Sequence, residues 1–344
     1  MQSHWPKPKS VARPLRVGFV PLCDGAPLVM AQELGLFEKH GVRVHLRREV
    51  GWATVRDKII YRDLDAAHAL APMVFAASFG LGSIRADCLT GLVLSLEGNA
   101  ITLAQSLWED GVRDGVSLRQ LARRRAEPMV FGIPFLYSSH HFLLHTWLGL
   151  SGLVPGRDVH FVVVPPPQMP ANLKAGHLDG YCVGEPWNSV AVLAGFGWRV
   201  AGSGDIARRH PEKVLMVRRD FAEARGEEHE RLIAALIEAC RFCAAPENRE
   251  RIIETLGEPQ YVNAPASALR AGFDGDGQAG APPRDAHEPS VGKAAWILDH
   301  LMKSGLLPDP SVIGRNTAAD NFRADIFQNA TRIKTRYEAT PVVS

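Results

Sequence analysis

Ala171-Asn-Leu-Lys-Ala-Gly-His-Leu-Asp-Gly-Tyr-Cys-Val-Gly-Glu-Pro-Trp-Asn188 decides how the chain is read. Ala171, Leu173, Ala175 and Leu178 fall at helical spacing and are closed by Gly176. Gly180-Tyr-Cys-Val-Gly184 is a short apolar run with β-prone residues, which predicts a strand. Pro186 then removes a ladder donor and pushes Glu185 toward extended geometry. A helix feeding a buried strand that delivers polar and aromatic groups at its carboxyl end describes a ligand crevice in an α/β sheet; an ordinary strand-to-helix connection reads the same way.

Working outward, strands and helices alternate on both sides. Upstream, strands are predicted at 16–21, 42–50, 66–70 and 91–96, with helices at 27–40, 55–62 and 72–81. The pattern restarts with a basic helix at 118–125, a strand at 129–134, a helix at 139–150 and a strand at 160–164. Downstream come strands at 198–201 and 214–217, then helices at 227–245, 249–256 and 291–301, with 272–289 a Gly-, Pro- and Asp-rich loop. Such alternation predicts mostly parallel sheets covered by helices on both faces. Two such units and a closing helical section make two lobes around a cleft.

At 344 residues the chain exceeds what one core usually holds, which fits two lobes. Hydrophobic content of 46% and charged content of 22% describe an ordinary globular chain. A net charge of +2, from 39 basic and 37 acidic residues, gives no general push toward nucleic acid or acidic membranes. The start, Met1 to Pro14, is basic and proline-rich, without an apolar h-region or a small-residue cleavage site, and no stretch is apolar enough to span a membrane. The expected location is therefore the cytoplasm. Five scattered cysteines do not form a disulfide framework, and Cys240-Arg-Phe-Cys243 sits in a helical pattern without the second ligand pair of a zinc site.

Several chemistries lack their motifs. There is no dinucleotide glycine fingerprint, P-loop, HExxH or GxSxG elbow. Asp274-Gly-Asp-Gly-Gln278 misses the glycine and glutamate positions of a calcium loop, and His140-His141 cannot face one metal from one helix surface. No cofactor or metal is expected. Arg123-Arg124-Arg125 reads as a solvated helix face.

Five stretches together resemble the nitrate- and bicarbonate-binding family of solute-binding proteins: Gly35-Leu-Phe-Glu-Lys-His-Gly41, Gly51-Trp-Ala-Thr-Val-Arg-Asp57, Val163-Val-Pro-Pro-Pro-Gln-Met169, Cys182-Val-Gly-Glu-Pro-Trp187 and His210-Pro-Glu-Lys213. The resemblance runs from about Arg16 to about Arg323. It implies a two-lobed periplasmic-binding-protein-like fold of type II, each lobe a mostly parallel sheet flanked by helices. Lobe 1 would comprise 15–104 and 213–335, lobe 2 would comprise 105–212, and 1–14 and 336–344 would be tails.

The resemblance also implies a site. Nitrate-binding members hold the anion with an indole, an amide, a histidine and a lysine, which fall here at Trp52, Asn99, His140 and Lys213. Asn99 departs from the family's longer glutamine. Thr54, Gly98, Gly184 and Glu185 would line the cleft. The chemistry is coherent, because nitrate offers three acceptor oxygens and one charge, and the four side chains offer N–H donors and one ammonium. Burial without that charge would carry a heavy desolvation cost. Bicarbonate-binding members carry an acid at the last position, so Lys213 favours an anion with no proton to donate.

Within the family, signal-less members resemble cytoplasmic nitrate/nitrite sensors. They hold an ANTAR-type RNA-binding antiterminator inactive and release it when the anion binds. That is the leading expectation: a sensor, not an enzyme, with nitrate or nitrite and the antiterminator as partners and no direct nucleic-acid contact. Two rivals remain. One is the substrate-binding component of a nitrate or related small-anion ABC transporter whose leader is missing from the chain. The other is a biosynthetic enzyme on the same fold, for which Cys23, Cys182 and Glu185 are the reactive candidates.

Overall fold

The computed structural model describes residues 13–274 and 285–333. It contains two five-stranded sheets. Strands β1 (Leu15–Phe19), β2 (Val44–Arg48), β3 (Ala66–Leu70) and β4 (Cys88–Leu96) lie in the first, with β5 (Asn99–Ala104), β6 (Met129–Ile133), β7 (Val159–Val163), β8 (Gly180–Gly184) and β9 (Gly197–Gly202) in the second; β10 (Pro211–Arg218) returns to the first. The orders are β2-β1-β3-β10-β4 and β7-β6-β8-β5-β9. Where mostly parallel sheets are expected, each sheet is mixed, with two parallel and two antiparallel pairings, because each has one reversed strand. Those are β10, antiparallel to β3 and β4, and β5, antiparallel to β8 and β9. The reversed strand is in both cases the one that arrives from the other lobe.

This topology corrects the expected lobe boundary. Asn99–Ala104 hydrogen-bonds to β8 and β9, so the first crossover falls at Glu97-Gly98 and not after Ala104. Both crossover residues are left-handed, Glu97 at φ 56° and Gly98 at φ 88°. That two-residue reversal lets β4 end in one lobe and β5 start in the other. The return crossover lies just ahead of Pro211, where β10 begins.

The strands deepest in each sheet are buried on both faces, and their composition shows it: every residue of Ala66–Leu70 is buried, including His68. A polar residue in such a strand must find its partners inside. The C-terminal section belongs mainly to the first lobe, where helix Gly226–Ala244 packs on Ala26–Glu33. Two later helices bridge the lobes. Val291–Lys303 packs on both Ala71–Phe79 and Ser139–Leu150, and Ala266–Asp274 packs on Trp187–Leu193. The predicted loop at 272–289 is helical to Asp274, and the calcium-like stretch beyond it lies outside the described residues. Among the described residues no helix is long and apolar enough to cross a membrane.

Backbone and side-chain bonds join the lobes along this seam. Cys23 N–H donates to the Glu185 carbonyl at 2.8 Å, and the Trp187 indole donates to the Pro21 carbonyl at 2.9 Å.

Candidate functional site

The carboxyl ends of the parallel strands of both sheets face one another, and the polar residues there form a single buried cluster. The first lobe supplies Asp24 from the turn after β1, Trp52 from the start of helix Trp52–Ile60, His68 from β3, and Glu212 and Lys213 from β10. From the second lobe come Asn99, the first residue of β5, and Ser139 and His140, which open helix Ser139–Leu150. Ser138 caps that helix through a 3.1 Å bond from His141 N–H to its Oγ, fixing the turn that aims Ser139 and His140 inward. Gly51, extended ahead of Trp52, sets the entry of the other helix.

The geometry centres on the Glu212 carboxylate. Its Oε2 accepts from Asn99 Nδ2 at 2.6 Å and from the Ser139 hydroxyl, and its Oε1 accepts from Lys213 Nζ at 2.7 Å. His140 Nδ1 lies 3.5 Å from Oε1 and His210 Nε2 lies 3.4 Å from Oε2. The Lys213 ammonium also meets Asp24 Oδ2 at 2.7 Å and sits 5.6 Å from the centre of the Trp52 ring. His68 stands behind this group, its Nε2 3.1 Å from Asp24 Oδ1 but out of line for a hydrogen bond. Among the described residues, Trp52 Nε1, Asn99 Oδ1 and both ring nitrogens of His140 have no hydrogen-bond partner, although all are buried. Unsatisfied buried polar atoms are costly, and a concentration of them at one place marks a ligand position.

Charge follows from the same contacts. Burial alone would raise the Asp24 carboxyl, but Lys213 and His68 outweigh it and hold it at about 2. Glu212 is likewise pulled well below the usual carboxylate range, with Lys213, His140 and His210 overcoming burial. Lys213 is raised, because the two carboxylates outweigh its desolvation. Burial pushes His140 down to about 4, against the pull of Glu212, so its imidazole is neutral at neutral pH. The cluster therefore holds two carboxylates and one ammonium.

Trp52, Asn99, His140 and Lys213, predicted from the sequence to meet, are all in this cluster and all buried. Gly184 is beside it. A Cβ there would stand 3.3 Å from Leu22 Cδ2, 3.4 Å from Asn99 Oδ1 and 3.7 Å from Asp24 Oδ2, so its backbone packs directly against the cluster. Gly98 is in the crossover that delivers Asn99. The other two predicted lining residues are placed differently, Glu185 at the seam between the lobes, where its carbonyl accepts from Cys23 N–H. Thr54 is two positions beyond Trp52 on the same helix, so it turns to another side. Glu185 accepts from Ser189 N–H at 3.1 Å, at the start of its own following helix, and its carboxyl is raised by burial. The expectation of a chamber with donors only is also corrected, since Asp24 and Glu212 bring carboxylates. Asp24, His68, Ser139, His210 and Glu212 were missed. Glu212 and His210 were legible in His-Pro-Glu-Lys, and an ionisable His68 inside an apolar strand was a further signal.

The thiols proposed for an enzyme are buried, and burial pushes both Cys23 and Cys182 well up, which disfavours the thiolate.

The model of the NMT1-like family matches residues 9–257, well over half of the chain. The chain belongs to the NMT1-like family. Among similar proteins, this NMT1-like chain is 37% identical over 312 residues to the nitrate import ATP-binding protein NrtC of Synechocystis, covering 86% of the chain and 47% of that protein. It is 36% identical over 304 residues to the bicarbonate transport ATP-binding protein CmpC of Synechococcus elongatus, covering 86% and 46%. The chain thus spans about half the length of these curated relatives. The crystal structure of the periplasmic nitrate-binding protein NrtA from Synechocystis superposes with a TM-score of 0.86 at 26% identity, covering 93% of the chain and 88% of NrtA. The resemblance read from the sequence, to nitrate- and bicarbonate-binding solute-binding proteins with a two-lobed fold, is borne out.

Proposed function

We propose that this NMT1-like chain binds nitrate or nitrite in the interlobe cluster and serves as a cytoplasmic sensor of the NasS kind, releasing an ANTAR-type RNA-binding antiterminator when the anion closes the lobes. One observation carries the anion reading. Asn99, Ser139, His140 and Lys213, from two lobes, converge on a planar, delocalised oxyanion group, the carboxylate of Glu212. A donor set that fits O–C–O also fits O–N–O, and Trp52 adds an indole N–H. The names of the nitrate-binding and nitrate-import relatives point the same way.

Cytoplasmic placement is supported by five free cysteines, four of them buried, a state that a reducing compartment preserves. A ligand moves the lobe equilibrium only through its differential affinity for the two arrangements. Donors contributed by both lobes supply that difference. A transporter's substrate-binding component is the second reading, favoured by the transport relatives.

Calorimetric titration with nitrate, nitrite, bicarbonate and taurine tests the anion reading. Nitrate or nitrite should bind with measurable heat, and taurine should not. Bicarbonate belongs in the series because the Glu212 carboxylate offers its hydroxyl an acceptor. No heat with either nitrogen oxyanion rejects the reading. The sensor reading predicts that a preformed complex with an ANTAR-type antiterminator dissociates on adding nitrate; a complex that never forms rejects it.

A further inference from the structure

We propose that Glu212 is an internal occupant of the anion site, and that an external oxyanion enters together with one proton, which Glu212 takes up. This rests on the anion reading above and adds to it a stoichiometry and a residue.

The starting point is a count of charges in a chamber closed to solvent. Asp24 and Glu212 contribute two carboxylates and Lys213 one ammonium, all buried. A further anion without a proton would set three negative charges against one positive charge. Desolvation and like-charge repulsion forbid that arrangement in a buried site. One proton per anion leaves the chamber's net charge unchanged.

Geometry selects the proton's place. The oxygens that an incoming anion must approach are those of Glu212, because donors of both lobes bond them: Asn99 from β5, Ser139 from the helix after β6, and Lys213 on β10, with the unpartnered His140 Nδ1 3.5 Å away. His210 faces Glu212 from the approach to β10, and Asp24 reaches the same ammonium from the turn after β1. His68 on β3 faces Asp24 and not Glu212. Cys182 on β8 is a buried neutral thiol beside the group. Protonated Glu212 turns from acceptor to donor, so its O–H can bond the anion while Asn99, Ser139 and Lys213 transfer their hydrogen bonds to it. Among the contacts above, Asp24 meets Lys213 and His68, both from the first lobe. It keeps its contact with Lys213, whose charge the bound anion needs.

Linkage fixes the sign. Glu212 is ionised when its own carboxylate fills the donors and protonated in the anion complex. Affinity for the anion therefore falls about tenfold for each pH unit of increase while that difference persists. Nitrate is the probe, since it stays an anion throughout.

The experiment is calorimetry of the full chain with sodium nitrate, in buffers of different ionisation enthalpy, between pH 5.5 and 8.5. The wild type should take up close to one proton per nitrate. Glu212→Gln supplies a permanent neutral donor of the same shape, and should bind nitrate with no proton uptake and a flat pH profile. Nitrate binding by the wild type without proton uptake overturns the inference while leaving the anion reading intact. A proton uptake that survives in Glu212→Gln places the proton on another group, Asp24 or a histidine, and overturns the assignment to Glu212. No nitrate binding by the wild type at any pH removes both. The wild-type measurement stands alone if the variant does not fold.

Discussion

Glu212 and Lys213 are consecutive on β10, yet both side chains reach the same chamber, with Nζ and Oε1 2.7 Å apart. Neighbours on a regular strand point to opposite faces. Here the register against β4 shifts on either side of Lys213, between Pro211 and Lys213 and again before Val214. Such an irregularity re-aims a side chain, and strand irregularities gather near functional sites. The result is one ammonium shared by two carboxylates from separate segments, Asp24 and Glu212.

That sharing predicts how stability responds to loss of the ammonium. Lys213→Met leaves two buried carboxylates uncompensated and should cost about 3–5 kcal/mol in denaturant unfolding. Adding Asp24→Asn and Glu212→Gln to it should restore most of that loss, because the charges to be neutralised are gone. Equal instability of the single and triple variants would show that packing, not charge, is what Lys213 supplies.

Trp52 separates binding from stability. Its ring is fully packed, against His68 and near Lys213, while its Nε1 meets no acceptor among the described residues. Trp52→Phe keeps most of the aromatic packing and removes the N–H. Nitrate affinity should drop at least tenfold, since a hydrogen bond to a charged group contributes about 1.5–3 kcal/mol. Unfolding free energy should change by less than the large-to-small range. Calorimetry beside denaturant melts checks both, and unchanged affinity removes the indole from the site.

Much of this site was legible because its residues lie in short motifs at strand ends, which the family resemblance ties to anion binding. Trp52, Asn99, His140 and Lys213 each follow a recognisable punctuation: Gly51, Gly98, the turn after β6, and Pro211. Glu212 stands in the same His-Pro-Glu-Lys motif as Lys213, without a pattern that gives it a role. Strand alternation places it opposite Lys213, and nothing in the residues announces the register shift. No strand is predicted at 99–104, and the lobe boundary is expected after Ala104, for a related reason. A two-residue reversal with both φ values positive is short enough to hide a change of lobe. Asp24 lacked any partner in sequence, and its partners, Lys213 and His68, come from strands far along the chain.

Acid stability should depend on Asp65, away from the chamber. Arg13 pairs with it at 2.6 Å, and Arg16 adds a backbone bond at 2.9 Å. Burial would raise this carboxyl, but the two arginines hold it at about 2 against an ordinary 3.8. A depressed carboxyl stabilises the fold above its unfolded value and loses that contribution as pH falls from 3.8 toward 2. With Arg13 half exposed, the contribution is about 1 kcal/mol after screening. Asp65→Asn should therefore lower stability at pH 7 and flatten its dependence on pH below 4. Parallel melts of both proteins across pH 2 to 7 decide it, and curves that stay parallel throughout remove Asp65 from the acid response.

Gly272 offers a test of lobe closure in which two effects carry opposite signs. It lies in helix Ala266–Asp274, which packs on the second lobe's Trp187–Leu193. A Cβ at this position would stand 2.9 Å from Glu185 Cβ and 3.4 Å from Cys23 Sγ, across the seam that the Cys23–Glu185 backbone bond closes. Gly272→Ala favours the helix itself by up to about 1 kcal/mol. It also overpacks the closed seam, at about 1–3 kcal/mol. The first effect acts in any arrangement of the lobes, whereas the second acts only when they meet. The variant should therefore melt close to the wild type while binding nitrate roughly five- to tenfold more weakly, and small-angle scattering with nitrate should report a larger radius of gyration. Wild-type affinity together with a wild-type radius would show that the helix yields locally, and that the seam does not limit closure.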